Sequence, residues 1–163
     1  MTNWTFTADS EAETHGLGQA LGRFAKPGLV VAISGDLGAG KTHFVRAVVE
    51  GLEGSPSDVS SPTFVLLQHY TARVPVHHAD AYRLRTENEF LDLGPDEWLG
   101  GNGVTLIEWA DRVSRWLPQD HLGLRITVTG ETHRHLEFIA HGPTAAEIVT
   151  LLAENCRPVT DRQ

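Results

Sequence analysis

The sequence contains very few cysteines and lysines. Cys156 is the only cysteine, so the chain cannot form an internal disulfide, and no second cysteine is present to complete a zinc-binding pair. Lysine occurs twice, at positions 26 and 41, and the other basic residues are arginines. This cysteine usage favours a reducing, cytoplasmic setting.

Positive charge is scarce as well. The chain has 13 basic and 21 acidic residues, which gives a formal net charge of −8. Binding of nucleic acid over a broad surface depends on clustered positive charge, and so does binding to an anionic membrane. The composition therefore argues against both kinds of surface.

Long hydrophobic runs are missing. The longest apolar stretch, around residues 29–33, is far too short to span a bilayer, and the N-terminus lacks the basic and apolar regions of a signal peptide. We therefore expect neither secretion nor a membrane partner.

The composition that is present is that of one globular domain. With 163 residues, 40% hydrophobic and 21% charged, the chain is long enough to bury a core without disulfides or metals. Residues 1–156 are predicted to form this domain. Residues 157–163 show no apolar period and are predicted to be a flexible tail.

A buried strand, a glycine-rich turn and a helix follow one another early in the chain. Residues 29–33 are apolar throughout, as in a strand covered on both faces of a parallel sheet. The turn at 35–40 leads into a helical pattern that includes Phe44 and Val48. Because this order is the first half of a βαβ unit, we expect an α/β fold with a central, mainly parallel sheet flanked by helices.

Further patterns complete the predicted fold. Ser10 and Glu13 have the spacing of a capping box, which indicates a helix start. Strands are predicted at 64–70, 74–78, 104–107, 122–128 and 134–140, a weak helix at 87–99, and a last helix opening at Pro143. The last two strands flank a turn at 130–133 and predict a C-terminal antiparallel hairpin.

The glycine-rich turn carries a phosphate-binding motif. Residues 35–42 read GDLGAGKT and match G-x-x-x-x-G-K-[ST] at every defined position. In this P-loop, backbone N–H groups and the start of the following helix cradle a polyphosphate. Lys41 would reach the β- and γ-phosphates and the Thr42 hydroxyl would bind Mg²⁺. The flanking strand and helix favour this interpretation over a glycine-rich turn without a ligand.

Two acidic residues at strand ends are candidates for the metal or the attacking water. Glu108 directly follows the apolar run 104–107, and Asp80 closes another predicted strand. A carboxylate near the P-loop metal is needed in such sites. A helix-capping Glu108 and a turn-forming Asp80 are the alternatives, and the sequence does not divide the roles between them. Trp109, next to Glu108, is expected to lie near the nucleotide.

The nine histidines form no evident metal site. His77 and His78 are adjacent, so they point to opposite faces of a strand. His133 and His135 share a face but have no clear third ligand. We therefore do not expect a bound transition metal.

A P-loop alone leaves several classes of protein open. A small GTPase would carry an Asn-Lys-x-Asp motif, but Lys26, the only lysine outside the P-loop, follows Ala25. A small-molecule P-loop kinase remains an alternative, although its arginine-bearing lid is not evident. A nucleotide-dependent binding module, in which hydrolysis is incidental, is the other alternative.

Four segments together resemble a known family. In order and spacing, GDLGAGKTHF at 35–44, SPTF at 61–64, HADAYRL at 78–84 and IEW at 107–109 resemble the TsaE/YjeE family. Its members are bacterial ATPase subunits of the machinery that makes threonylcarbamoyladenosine in tRNA. The resemblance implies a single-domain P-loop NTPase fold, Mg·ATP binding and slow intrinsic hydrolysis.

The resemblance also implies roles for individual residues. Lys41, Asp80 and Glu108 are expected to be catalytic, and Thr42, Glu108 and Asp80 to surround Mg²⁺. The residues expected to bind the nucleotide are Thr14, Gly35, Asp36, Leu37, Gly38, Ala39, Gly40, Lys41, Thr42, His43, Thr63, Trp109 and Arg134. Thr63 resembles a switch residue that senses the γ-phosphate. His43 departs from the family, which usually has a second threonine there.

Family members act with a protein pair, of the TsaD and TsaB type, that transfers threonylcarbamoyl to adenosine 37 of tRNA. The resemblance implies that the chain hydrolyses ATP to ADP and that this hydrolysis resets the pair. Because the chain is acidic, contact with tRNA is expected to be local or made through the partners.

Overall fold

The structure, a computed structural model, describes residues 2–60 and 66–157. Thr63, the first two residues of the predicted strand 64–70, and the tail from residue 158 lie outside these ranges. The elements in chain order are β1 Asn3–Ala8, α1 Glu11–Phe24, β2 Val30–Gly35, α2 Lys41–Gly51, β3 Leu67–Tyr70, β4 Val76–Asp80, α3 Glu87–Leu91, α4 Pro95–Trp98, β5 Val104–Glu108, β6 His121–Val128, β7 Arg134–His141 and α5 Pro143–Asn155. Short 3-10 helices occupy Pro56–Asp58 and Ala110–Trp116.

The described strands form one sheet in the order β1-β7-β6-β2-β5-β4-β3. The four central strands, β6, β2, β5 and β4, are parallel, and the strands at both edges are antiparallel. The predicted α/β fold with a mainly parallel sheet and a C-terminal hairpin, β6 with β7, is therefore confirmed.

Helices cover both faces of the central strands. Side chains of α1, α2 and α5 pack on one face with Val31 and Ile33 of β2. On the other face, Val30 and Ala32 pack with residues of α3, α4 and the 3-10 helix Ala110–Trp116. β2 is thus buried on both sides, which is why its sequence is an unbroken apolar run.

Several boundaries differ from the predictions. The sequence analysis missed β1, whose Phe6 and Ala8 face the core while Thr5 and Thr7 alternate with them; it pairs antiparallel with β7. The predicted weak helix at 87–99 consists of two short helices, α3 and α4, separated by Gly94 in a left-handed conformation (φ 68°). β4 runs over Val76–Asp80 rather than 74–78, so Asp80 is its last residue.

α1 lies unusually close to α2 because glycines line their contact. A Cβ on Gly22 of α1 would lie 2.2 Å from the carbonyl oxygen of Val48, and one on Gly51 would lie 2.1 Å from that of Gln19. Only hydrogen fits at these positions. The close approach matters for function because α2 begins inside the phosphate-binding motif.

We predict opposite effects for alanine at two glycines of α1. Gly22→Ala should lower the free energy of unfolding by about 1–3 kcal/mol, because the methyl group is forced against backbone. Gly16→Ala should raise it by up to about 1 kcal/mol, since nothing in the described part of the chain lies within 4 Å of a Cβ there and alanine favours a helix. Urea unfolding of both variants checks this, and equal effects would contradict the packing described.

Candidate functional site

The phosphate-binding motif joins the end of β2 to the start of α2. Gly40 adopts a left-handed conformation (φ 96°) directly before α2, and a Cβ on Gly35 would lie 2.5 Å from the carbonyl oxygen of Ile126. Both positions therefore require glycine. The first N–H groups of α2 have no acceptor within the helix, and such a helix N-terminus is an anion site.

Lys41 is held inside the loop. Its ammonium group donates hydrogen bonds to the carbonyl oxygens of Gly35 (2.7 Å) and Asp36 (2.8 Å) and lies 4.0 Å from the ring centroid of Trp109. The residue is only 5% exposed. Burial lowers the pKa of Lys41, while the nearby carboxylates of Glu108 and Asp80 act in the opposite direction. The cation is thus desolvated and bonded to neutral carbonyls, which suits it to receive a phosphate.

The side chains of Thr42 and Glu108 form a hydrogen bond where α2 and β5 adjoin. The Thr42 hydroxyl donates to the carboxylate of Glu108, at 2.8 Å from Oε1 and 3.0 Å from Oε2. Glu108 is the last residue of β5, which lies directly beside β2, and it is 2% exposed. The structure therefore places two of the three predicted metal ligands in contact.

Asp80 ends the next strand, β4, and is the register partner of Glu108. Its carboxylate accepts a hydrogen bond of 2.8 Å from the backbone N–H of Tyr82. Burial raises the pKa of Asp80; this N–H opposes the rise and the charge of Glu108 adds to it. Two carboxylates and the Thr42 hydroxyl supply the oxygen ligands that Mg²⁺ prefers, and a cation would offset their mutual repulsion. The residues present fit Mg²⁺.

Trp109 forms one wall of the site in a strained backbone conformation. Its φ is 57°, in the left-handed region that bulky side chains avoid. In this position the indole covers Lys41 and lies against the ring of Tyr82, with centroids 4.8 Å apart. A cavity of about 450 Å³ opens between these groups, and its lining includes Leu37, Thr42, Asp80 and Glu108.

A second cavity lies on the other side of the loop. It measures about 240 Å³ and is lined in part by Thr14 of α1, His43 of α2, and Arg134 of β7. The Arg134 Nε donates to the carbonyl oxygen of Ala39 (3.0 Å), which ties β7 to the loop. Thr14 and Arg134, the two residues predicted for a nucleotide pocket, thus border the same cavity as His43. Thr63, the predicted switch residue, lies outside the described residues.

His78 and Tyr70 are site residues that the sequence analysis missed. His78 on β4 is fully buried, and its Nε2 lies 2.5 Å from Glu108 Oε2. Its Nδ1 lies 2.8 Å from the hydroxyl of Tyr70 on β3. The adjacent histidines at 77 and 78 were correctly expected to point to opposite faces, and the apolar Val76 two positions before His78 could have indicated that His78 is the one that points inward.

Comparison with known proteins agrees with the motifs. A family model described as "Threonylcarbamoyl adenosine biosynthesis protein TsaE" matches residues 8–136. This chain belongs to the TsaE family. The resemblance inferred from the four motif segments is thereby confirmed.

The chain aligns with relatives from the TsaE family over most of their length. It is 44% identical over 131 residues to the tRNA threonylcarbamoyladenosine biosynthesis protein TsaE of Bacillus subtilis, covering 80% of this chain and 81% of that protein. The Treponema pallidum protein of the same name is 38% identical over 127 residues, covering 78% and 93%. The crystal structure of Bacillus subtilis YdiB superposes with a TM-score of 0.78 at 32% identity, covering 94% and 95%.

The helices of this TsaE family member are short. Within residues 2–60 and 66–157, none combines the length and the apolar character that crossing a membrane requires.

We predict that Lys41→Ala weakens nucleotide binding without unfolding the protein. A charge-assisted hydrogen bond contributes about 1.5–3 kcal/mol, so the affinity for ATP should fall by at least about 10-fold. Lys26→Ala is the matched control, because the Lys26 side chain is exposed and forms its ion pair with Glu147 of α5 rather than with a residue of the loop. Calorimetry with ATP measures both variants, and an unchanged affinity of Lys41→Ala would remove this residue from the phosphate site.

Proposed function

We propose that this chain is a Mg²⁺-dependent ATPase required for forming the threonylcarbamoyl group on adenosine 37 of tRNA. The observation that carries the proposal is that the start of α2 and the ends of β5 and β4 adjoin at one edge of the sheet. The loop that holds Lys41, the Thr42 hydroxyl, and the carboxylates of Glu108 and Asp80 border a single cavity. These groups match the needs of a bound nucleoside triphosphate.

Binding of the triphosphate is assigned to the loop and α2. The N–H groups of the loop and of the first turn of α2 would hold the phosphate oxygens, and Lys41 would exchange its two carbonyl contacts for the β- and γ-phosphates. Thr14, His43 and Arg134 line the second cavity, where we place the nucleoside. Trp109 closes the phosphate site against solvent.

Hydrolysis is assigned to the carboxylates. Thr42 and Glu108 would hold Mg²⁺, which when bound neutralises charge that develops on the phosphate oxygens. Asp80 either completes the ligands or orients the attacking water, from which its carboxylate oxygens could accept a hydrogen bond. Water attacks the γ-phosphorus, the bond to the bridging oxygen breaks, and ADP and phosphate leave.

The proposed partners are a TsaD- and TsaB-type pair, and ATP hydrolysis would reset that pair rather than perform the transfer. The names of the relatives place those proteins in threonylcarbamoyladenosine biosynthesis, which supports this assignment. With a net charge of −8, the chain is expected to contact tRNA locally or through its partners. Since tRNA is the proposed substrate of the complex, we also propose a cytoplasmic location.

The decisive experiment is reconstitution of tRNA modification with the partner pair. Multiple-turnover modification should require the wild-type chain, and Lys41→Ala should fail to replace it. ATP turnover is measured in parallel, with and without the partners, and should rise strongly in their presence. Modification that proceeds equally well without the chain would contradict the proposal. Phosphate appearing on a small acceptor would instead support a kinase, and nucleotide binding without stimulated turnover a binding module.

We predict that Glu108→Ala separates hydrolysis from nucleotide binding. Loss of this carboxylate should reduce Mg²⁺-dependent turnover by at least about 10-fold, because the metal loses a ligand and the Thr42 hydroxyl loses its hydrogen-bond acceptor. Binding of ADP in the presence of EDTA should change much less, since the loop and Lys41 remain. Wild-type turnover in Glu108→Ala would exclude Glu108 from the site.

A further inference from the structure

A line of buried polar side chains leads from the candidate metal site to β3. It begins at Thr42 and Glu108 and continues through His78, whose Nε2 lies 2.5 Å from Glu108 Oε2. The Tyr70 hydroxyl lies 2.8 Å from His78 Nδ1 and is also in contact with the side chain of Gln68. Residues of three strands thus connect with α2 through side chains alone.

Packing does not explain this line. His78 is 0% exposed and lies on the face of β4 that also presents the buried apolar side chain of Val76. An aliphatic side chain would fill such a position without the cost of burying an imidazole, which is offset only when its nitrogens are paired. Both nitrogens of His78 are paired. The arrangement therefore serves the group it contacts, the Glu108 carboxylate.

The contact fixes the orientation of that carboxylate. An ionised carboxylate only accepts hydrogen bonds, so Nε2 of His78 carries the proton shared with Oε2. Oε1 then lies 2.8 Å from the Thr42 hydroxyl, and Glu108 borders the 450 Å³ cavity. Lys41 borders the same cavity. His78 thus opposes rotation of the Glu108 carboxylate away from Thr42.

We propose that His78 is a positioning residue that holds the Glu108 carboxylate toward Thr42 and a divalent cation, and that Tyr70 in turn orients the His78 ring. This rests on the proposed function of the site. Tyr70 is suited to this role because, with the shared proton on Nε2, the Nδ1 atom of His78 can accept a hydrogen bond from the Tyr70 hydroxyl 2.8 Å away.

The first test measures nucleotide affinity with and without Mg²⁺ by calorimetry. In the wild type, Mg²⁺ should strengthen ADP binding. His78→Leu should reduce this gain by about 10- to 100-fold, the range typical of residues that orient metal ligands, while affinity in EDTA stays unchanged. His78→Gln keeps an N–H near the Nε2 position and should restore part of the gain. Tyr70→Phe, which removes only the hydroxyl, should cause a smaller loss.

The neighbouring histidine provides a matched control. His77 lies on the same strand but points to the other face, where its ring contacts exposed His69. His77→Asn should therefore leave the Mg²⁺ gain unchanged. A double-mutant cycle tests the route: once Glu108→Gln is present, adding His78→Leu should cause no further loss. Additive losses, or a folded His78→Leu with the full Mg²⁺ gain, would overturn the proposal.

A second measurement needs neither metal nor nucleotide. In the metal-free protein the Nε2 proton of His78 should give a slowly exchanging, downfield NMR resonance that shifts in Glu108→Gln and in Tyr70→Phe. Its absence from the wild type would overturn the positioning role even if Mg²⁺ and ADP bind as expected. By contrast, a wild type that shows the resonance but binds no nucleotide would refute the proposed function and leave the His78 contact established.

Discussion

The contact between the Thr42 hydroxyl and the Glu108 carboxylate is the interaction on which the site depends. It joins the first turn of α2 to the end of β5, and so fixes the phosphate-binding loop relative to the sheet. Glu108 is 2% exposed, and burying a carboxylate is costly unless neighbouring groups donate hydrogen bonds to its oxygens. Here a hydroxyl and an imidazole do so, and the remaining anionic character is directed toward the cavity.

The parallel arrangement of the central strands brings the proposed catalytic groups to one edge of the sheet. β2, β5 and β4 run in the same direction, so the loop after β2, Glu108 at the end of β5 and Asp80 at the end of β4 lie side by side. Ligands in open α/β sheets bind at the carboxyl ends of the strands for this reason. The close glycine contact between α1 and α2 holds the other side of the loop, where Thr14 faces the second cavity.

The sequence predicted those features that depend on neighbours along the chain. The GDLGAGKT loop, the buried β2 and Glu108 at a strand end are all local patterns, and the structure places Thr42 and Glu108, both predicted to be metal ligands, in contact. The contact of His78 with Glu108 was missed because it joins residues 30 positions apart, and a single histidine in a strand has no local signal for its partner. β1 was missed because its alternation is short and only pairing with distant β7 stabilises it. Arg134 and Thr14 were predicted through family resemblance alone, since no local pattern connects them with the loop.

The position of Lys41 has a consequence for the thermodynamics of phosphate binding. In most proteins a lysine must lose up to about 2 kcal/mol of rotamer entropy, and much of its hydration, when it engages a ligand. Two carbonyl oxygens and the Trp109 ring already hold this ammonium in place and largely dehydrated. The left-handed backbone of Trp109 carries the strain that keeps the ring there. Folding thus already orders the Lys41 ammonium, so a phosphate bound as proposed would meet a preorganised cation and would only replace its two carbonyl contacts.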